Sequence, residues 1–217
     1  NSLYGYVFDG IFQNNEEVSN HVFQEKTTSP GDIRFKNLNG DDKIDANDRT
    51  TIGHTIPKFY YGGSVNLEYK RIDFGIFFQG IGNRDVYMAA DNFGRDIRFM
   101  NERNVPKELL NRWTGEGSTF EYPRVIWRDP SNNARTSDRW IENGRYFRIK
   151  TINLGYSLPE NWIKTVKLSS ARIYLTAQNF ITFTSFKGME PETTSYDPQN
   201  RTYPQPTTIL IGFNVKF

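Results

Sequence analysis

Cysteine is absent from the 217 residues, and histidine occurs only twice, as His21 and His54. The first absence excludes thiol catalysis, thiolate metal centres and disulfide staples. The second leaves little for acid–base chemistry. Both histidines fall in loop-like stretches, without a serine or acidic partner at the spacing of a hydrolytic motif, so no enzyme is expected. Long apolar runs are also missing. Only 36% of the chain is hydrophobic, and no stretch approaches the roughly 20 residues of a spanning helix. Charge is spread rather than blocked, with a net value of +2, which gives no electrostatic footprint for nucleic acid.

What the chain has in excess is aromatic side chains, 15% of the total. Interfacial girdles of a membrane barrel, the core of a β-sandwich or a sugar-binding surface all account for such a content. Alternation then narrows the field. In Thr207–Phe217, Ile209, Ile211, Phe213, Val215 and Phe217 share one phase, and Thr208, Leu210, Gly212, Asn214 and Lys216 the other. A strand sends alternate side chains to opposite faces, so one face is wholly apolar and the other mostly small or polar.

The same rhythm recurs upstream. Val65, Leu67 and Tyr69 alternate with Ser64, Asn66 and Glu68; after the turn Lys70-Arg71, Ile72, Phe74, Ile76 and Phe78 alternate with Asp73, Gly75 and Gln79. Two such runs with a tight connection predict a hairpin. Ile152, Leu154, Tyr156 and Leu158 form a third run, and Ala171, Ile173, Leu175 and Ala177 a fourth. The reading is all-β: five antiparallel strands near 60–69, 72–80, 146–158, 170–181 and 207–217. Residues 1–59 precede them as a folded extracellular loop region. It holds short extended pieces at 4–12 and 32–35 and a short helix at 16–22; a second short helix is expected at 106–113.

The connections alternate between long (81–144, 182–206) and short (70–71, about 159–169). A transmembrane barrel sorts its loops this way, long outside and short inside, which places the end of the chain on the periplasmic side. Five strands cannot close a barrel, and open edges in lipid leave backbone groups unpaired. The chain is therefore expected to be part of a longer polypeptide, and its opening Asn1-Ser2-Leu3-Tyr4 has neither a basic stretch nor an apolar one.

Asn37, Asn39, Asp41, Lys43, Asp45 and Asp48 occupy the ligand stations of a calcium loop, with Lys43 offering its backbone carbonyl. Asp42 stands where that pattern has glycine, Asn37 replaces the first aspartate, and Asp48 is shorter than the usual bidentate glutamate. The alternative is a turn held by its own Asn and Asp hydrogen bonds. A bound Ca2+ would be structural, stiffening the loop. Trp113, Tyr122, Trp127, Trp140 and Tyr203 are candidates to stack on a substrate or to bury against a partner, against the simpler use of anchoring their own loops. Asp73, Gln79, Arg172, Tyr174 and Gln178 belong to the polar face, toward cargo or a plug.

In order along the chain, Gly5–Gln13, Pro30–Phe35, Asn37–Asp48 with Ile52-Gly53, and Pro57 with Tyr61-Gly62-Gly63 resemble the SusC/RagA family of TonB-dependent outer-membrane transporters of Bacteroidetes. Phe77–Gly80, Arg112–Thr114, Tyr122–Arg124, Tyr146–Lys150, Leu154–Pro159, Arg172–Leu175, Gln178-Asn179 and the terminal strand extend the likeness. The resemblance implies the last five strands of a plugged barrel of about 22 strands. It also implies outer-membrane lipid around them, TonB coupling through an absent N-terminal region, and a SusD-like lipoprotein over the outward loops. The cargo would be an oligosaccharide (glycan) or oligopeptide. A soluble, calcium-dependent, carbohydrate-binding β-sandwich remains the alternative, with a passive porin as a third reading.

Overall fold

The computed structural model describes residues 2–88, 107–165, 167–188, 190–192 and 204–217. The chain opens with β1 (Ser2–Gly5), β2 (Phe8–Ile11), helix α1 (Asn15–Asn20), β3 (Ile33–Phe35) and β4 (Thr50–His54). Then come β5 (Phe59–Tyr69), β6 (Ile72–Gly82), β7 (Asp85–Tyr87), β8 (Ile141–Asn143) and β9 (Tyr146–Ser157), followed by helix α2 (Glu160–Thr165), β10 (Ser170–Thr184) and β11 (Thr208–Lys216). Two compact units form, one from residues 2–56 with 85–142, the other from 57–84, 143–192 and 204–217.

In the first unit β1 pairs with β4 and β2 with β3, all antiparallel. The extended piece expected over 4–12 is split in two: between the strands, the Tyr6 N–H donates to the Thr136 carbonyl at 2.9 Å. Helix α1 starts where Asn14 Oδ1 accepts the Glu17 N–H at 3.0 Å, an N-cap that satisfies an otherwise orphan donor. Period-two alternation points Ile33 and Phe35 inward, and both are fully buried. Around them gather Ile44, Leu109, Tyr122 and Trp140. Arg135 lies over the rings of Tyr6 and Phe35, and Arg139 over Tyr122 and Trp140.

Half of that core comes from the stretch the sequence assigned to loops between strands. Leu109, Tyr122 and Trp140 show no periodicity, because they are delivered by turns and by single 3-10 turns, Lys107–Asn111 and Asp138–Trp140. The first stands where a helix is expected over 106–113. The first unit is not confined to 1–59: residues 85–142 belong to it.

The second unit is one antiparallel sheet of five strands, in the order β11-β10-β9-β6-β5. Lys70 turns the β5–β6 hairpin with φ of 56°, the left-handed conformation a two-residue connection requires. Four glycines on the sheet lie under a cross-strand ring: Gly82 under Phe59, Gly80 under Tyr61, Gly63 under Phe78 and Gly212 under Tyr174. A side chain at any of these glycines would displace its ring. An extra residue in β9 at Lys150, and two in β10 at Asn179 and Phe180, shift the register. These bulges return both strands to the same facing beyond the break.

Candidate functional site

The candidate functional surface is the five-stranded sheet, whose two faces differ. Register places Tyr69, Ile72, Tyr156, Ile173 and Phe213 in one row across all five strands. Leu67, Phe74, Leu154, Leu175 and Ile211 form the next, and Val65, Ile76, Ile152, Ala177 and Ile209 the third. Most of these side chains are exposed, Ile211 at 71% and Phe213 at 72%. Burying one such side chain is worth about 1.5–3 kcal/mol, so leaving this face in water forfeits more than the roughly 5–15 kcal/mol that holds a domain folded. In a sandwich a second sheet would cover it. Among the described residues, none does.

The opposite face carries Glu68, Asp73, Gly155, Tyr174 and Gly212 in one row, and Asn66, Gly75, Asn153, Thr176 and Leu210 in the next. Asp73, Gln79, Arg172, Tyr174 and Gln178 all lie on it, as the alternation requires. Arg172 donates to both carboxylate oxygens of Asp73, at 2.9 and 2.5 Å, passing over Gly155 on the strand between. A side chain at Gly155 would occupy the place of that guanidinium.

At the long-loop end of this face an ionic network fastens the segment after β10 to the sheet. Arg148 donates to Glu190 at 2.6 Å and to the Thr182 hydroxyl at 2.6 Å. Glu192 accepts from Gln79 at 2.8 Å, from the Tyr146 hydroxyl at 3.0 Å and from Lys150 at 3.1 Å. Burial alone would push the Glu192 carboxyl up. The hydrogen bonds from Lys150 and Tyr146 and the Arg148 charge outweigh it, and the group titrates below the ordinary glutamate range. The Arg148 and Glu190 side chains are nearly inaccessible, and that of Glu192 is mostly covered. The sequence did not single out this network, because its members are joined by a bulge and a return loop rather than by spacing.

The six candidate calcium ligands sit together, but the loop uses their oxygens itself. Asn37 Oδ1 accepts the Gly40 N–H at 2.7 Å, Asn39 Oδ1 the Asp41 N–H at 3.1 Å, and Asp41 Oδ1 the Lys43 N–H at 3.0 Å. The Asn39 amide donates to Asp41, and Asp48 accepts from Leu38 and Asp45, both at 2.8 Å. The Lys43 ammonium reaches Asp45 at 3.1 Å; that hydrogen bond and charge push Lys43 up. The Asn47 N–H, then Lys43, hold Asp45 below its usual range. Among the described residues no group of three or more His, Cys, Asp or Glu is placed to hold a metal ion, and the Lys43 ammonium takes one Asp45 oxygen.

The aromatic candidates separate. Tyr122 and Trp140 are core residues with no ring face open to a ligand, which corrects their reading as stacking groups. Trp113 donates its indole N–H to Gln13 at 3.2 Å and covers Gly31, whose φ of 90° allows the approach. Trp127 is exposed. Tyr203 lies outside the described residues. His21 bonds the Val22 carbonyl and edges onto Phe12, and the His54 N–H donates to Asp85.

No family model matches the sequence. The chain is 28% identical over 228 residues to TonB-dependent receptor P3 of Formosa agariphila, across 100% of itself and 22% of that protein. It is 27% identical over 209 residues to TonB-dependent receptor SusC of Bacteroides thetaiotaomicron, across 96% of itself and 20% of the relative. In structure it is similar to the RagAB peptide transporter, with a TM-score of 0.68 at 22% identity, over 100% of this chain and 22% of the other. The chain thus spans about a fifth of the length of the curated relatives it matches. Along that fifth, the chain matches the C-terminal region of SusC/RagA-type TonB-dependent receptors.

Proposed function

We propose that this chain forms C-terminal strands of the transmembrane barrel of a TonB-dependent outer-membrane importer. The observation that carries the reading is the pair of opposed faces: three uninterrupted apolar rows outward, and a polar, glycine-bearing surface inward. Lipid covers the first and a plug or cargo meets the second. Strands of 9 to 15 residues meet the roughly 9–11 that a tilted strand needs to cross a bilayer. The cargo is an oligosaccharide or oligopeptide, captured with a SusD-like lipoprotein over the outward end. The first unit and the loops beyond the sheet's long-loop end supply the contacts to that partner. TonB acts through the remainder of a polypeptide about four to five times the length of this chain, in keeping with relatives of which it covers 20–22%.

The test is a native pull-down from detergent-solubilised outer membranes, read by intact mass and peptide mapping. The expected result is residues 1–217 within a much longer polypeptide, with a lipoprotein attached. A free soluble protein of this length sinks the proposal.

A further inference from the structure

At the long-loop end of the sheet, the apolar face holds a groove of about 580 Å³, within the range of small-ligand sites. Its walls are the rings of Phe59, Tyr61, Phe147 and Phe183, a continuous series with centroids 5.9, 6.3 and 6.0 Å apart. Register puts Tyr61, Gly80, Phe147 and Phe183 in line, on the same face as the three apolar rows. Gly82 is part of the lining, and the Phe59 ring lies across it. Phe59 and Phe183 remain 52% and 56% exposed.

The mouth is polar and cationic. Arg145 lines it beside Asn83 and Ser185, and no carboxylate does. Two hydrogen bonds fix the Arg145 backbone: its N–H donates to Asn143 Oδ1 at 3.0 Å, and its carbonyl accepts from the Thr184 hydroxyl at 2.8 Å. The guanidinium forms no ion pair with any described residue. Exposed Lys58 and Lys187 stand at the same end of the sheet, just before β5 and just after β10. An interfacial girdle needs aromatic rings, but it has no need of a concave surface edged by an arginine that no described carboxylate pairs.

We propose that this groove binds an anionic membrane lipid, one acyl chain lying along the four rings and the headgroup phosphate pairing with Arg145. The proposal rests on the membrane reading above, and its test separates the two. The full polypeptide carrying this chain is purified in detergent, stripped of lipid and titrated with dimyristoyl phosphatidylglycerol or dimyristoyl phosphatidylcholine. Bound lipid is counted by native mass spectrometry. The two probes share their acyl chains, so a difference reports the headgroup. The glycerol lipid is expected to be retained preferentially. Arg145→Ala is expected to lower its retention about fivefold, the worth of one cation at an anionic surface, while Arg145→Lys keeps most of it. Phe183→Ala weakens both lipids alike. Glycerol 3-phosphate, without acyl chains, is expected not to bind.

Equal retention of the two lipids by the unaltered protein overturns the proposal. So does a headgroup preference that survives Arg145→Ala. Binding of glycerol 3-phosphate alone turns the site into one for free phosphate. If Arg145→Ala does not fold, as judged by heat-dependent gel mobility, Arg145→Gln takes its place, and the comparison on the unaltered protein decides in any event. A protein found outside the membrane fraction fails the function proposed above; one in the membrane without lipid preference fails only this inference.

Discussion

Asp32 gathers a segment distant in sequence onto the first unit. Its buried carboxylate accepts from Arg124 at 2.7 and 2.9 Å, from Asn133 at 3.0 Å and from the Ser29 N–H at 2.8 Å. Removing one partner of a buried pair strands the other, so Asp32→Ala is expected to cost about 3–5 kcal/mol. Chemical denaturation of the full protein checks it, and a loss below 1 kcal/mol would show that Arg124 finds another partner. The sequence marks Pro30-Gly31-Asp32 as a turn but gives no sign of Arg124, which lies 92 residues on. The Asn37–Asp48 loop shows the complementary limit. Spacing reveals where the oxygens fall along the chain, but not the N–H groups from which they accept. Because those oxygens are used within the loop, calcium is expected to leave thermal unfolding unchanged. A site saturated a hundredfold above its dissociation constant would instead add about 2.7 kcal/mol, and a calcium-dependent rise in melting temperature would restore the cation reading.

The strands were legible at the scale of the element, because alternation is a local property and the register of each hairpin keeps it in phase. It failed where β9 and β10 bulge: Lys150 and the Asn179–Phe180 pair break the period, and the network at Arg148 lies just beyond. The two faces make a direct prediction. Leu175→Arg places a charge in the middle apolar row, at an expected cost of about 2–4 kcal/mol in a bilayer. Gln178→Arg, three residues on and on the other face, is expected to be nearly neutral. Urea titration of the reconstituted protein measures both; equal effects would mean that the faces do not differ in environment. The clamp on the segment after β10 has its own pH signature. Glu192 titrates below its free value of 4.5, so its contribution is fully present above that pH and is lost as the pH falls through the lower, folded-state value. Proteolysis at Lys187 and Glu190–Glu192 is therefore expected to be slow at neutral pH and to quicken below pH 4.5, with an acid-active protease as the probe. Glu192→Gln is expected to give fast cleavage at neutral pH. A cleavage rate indifferent to both changes would remove the clamp.

For the molecule as a whole the decisive feature is what the sheet leaves open. Among the described residues β5 and β11 are its edges, and each presents a row of N–H and C=O groups that lipid cannot satisfy. Hydrogen bonds through five strands stabilise the register, but they cannot offset two unpaired edges together with an apolar face in water. The 217 residues expressed alone are therefore expected to aggregate, and to show no heat-dependent shift in gel mobility after detergent refolding. Refolded together with the rest of the polypeptide as a separate chain, they are expected to recover the shift, because the missing strands then pair with β5 and β11. The comparison distinguishes a barrel segment from a self-sufficient domain without reference to cargo. If the isolated chain is instead monodisperse in buffer without detergent, the rows through Leu67, Leu154 and Ile211 must be covered from within. The open face described here would then close on itself, and a sugar-binding sandwich would have to replace the barrel.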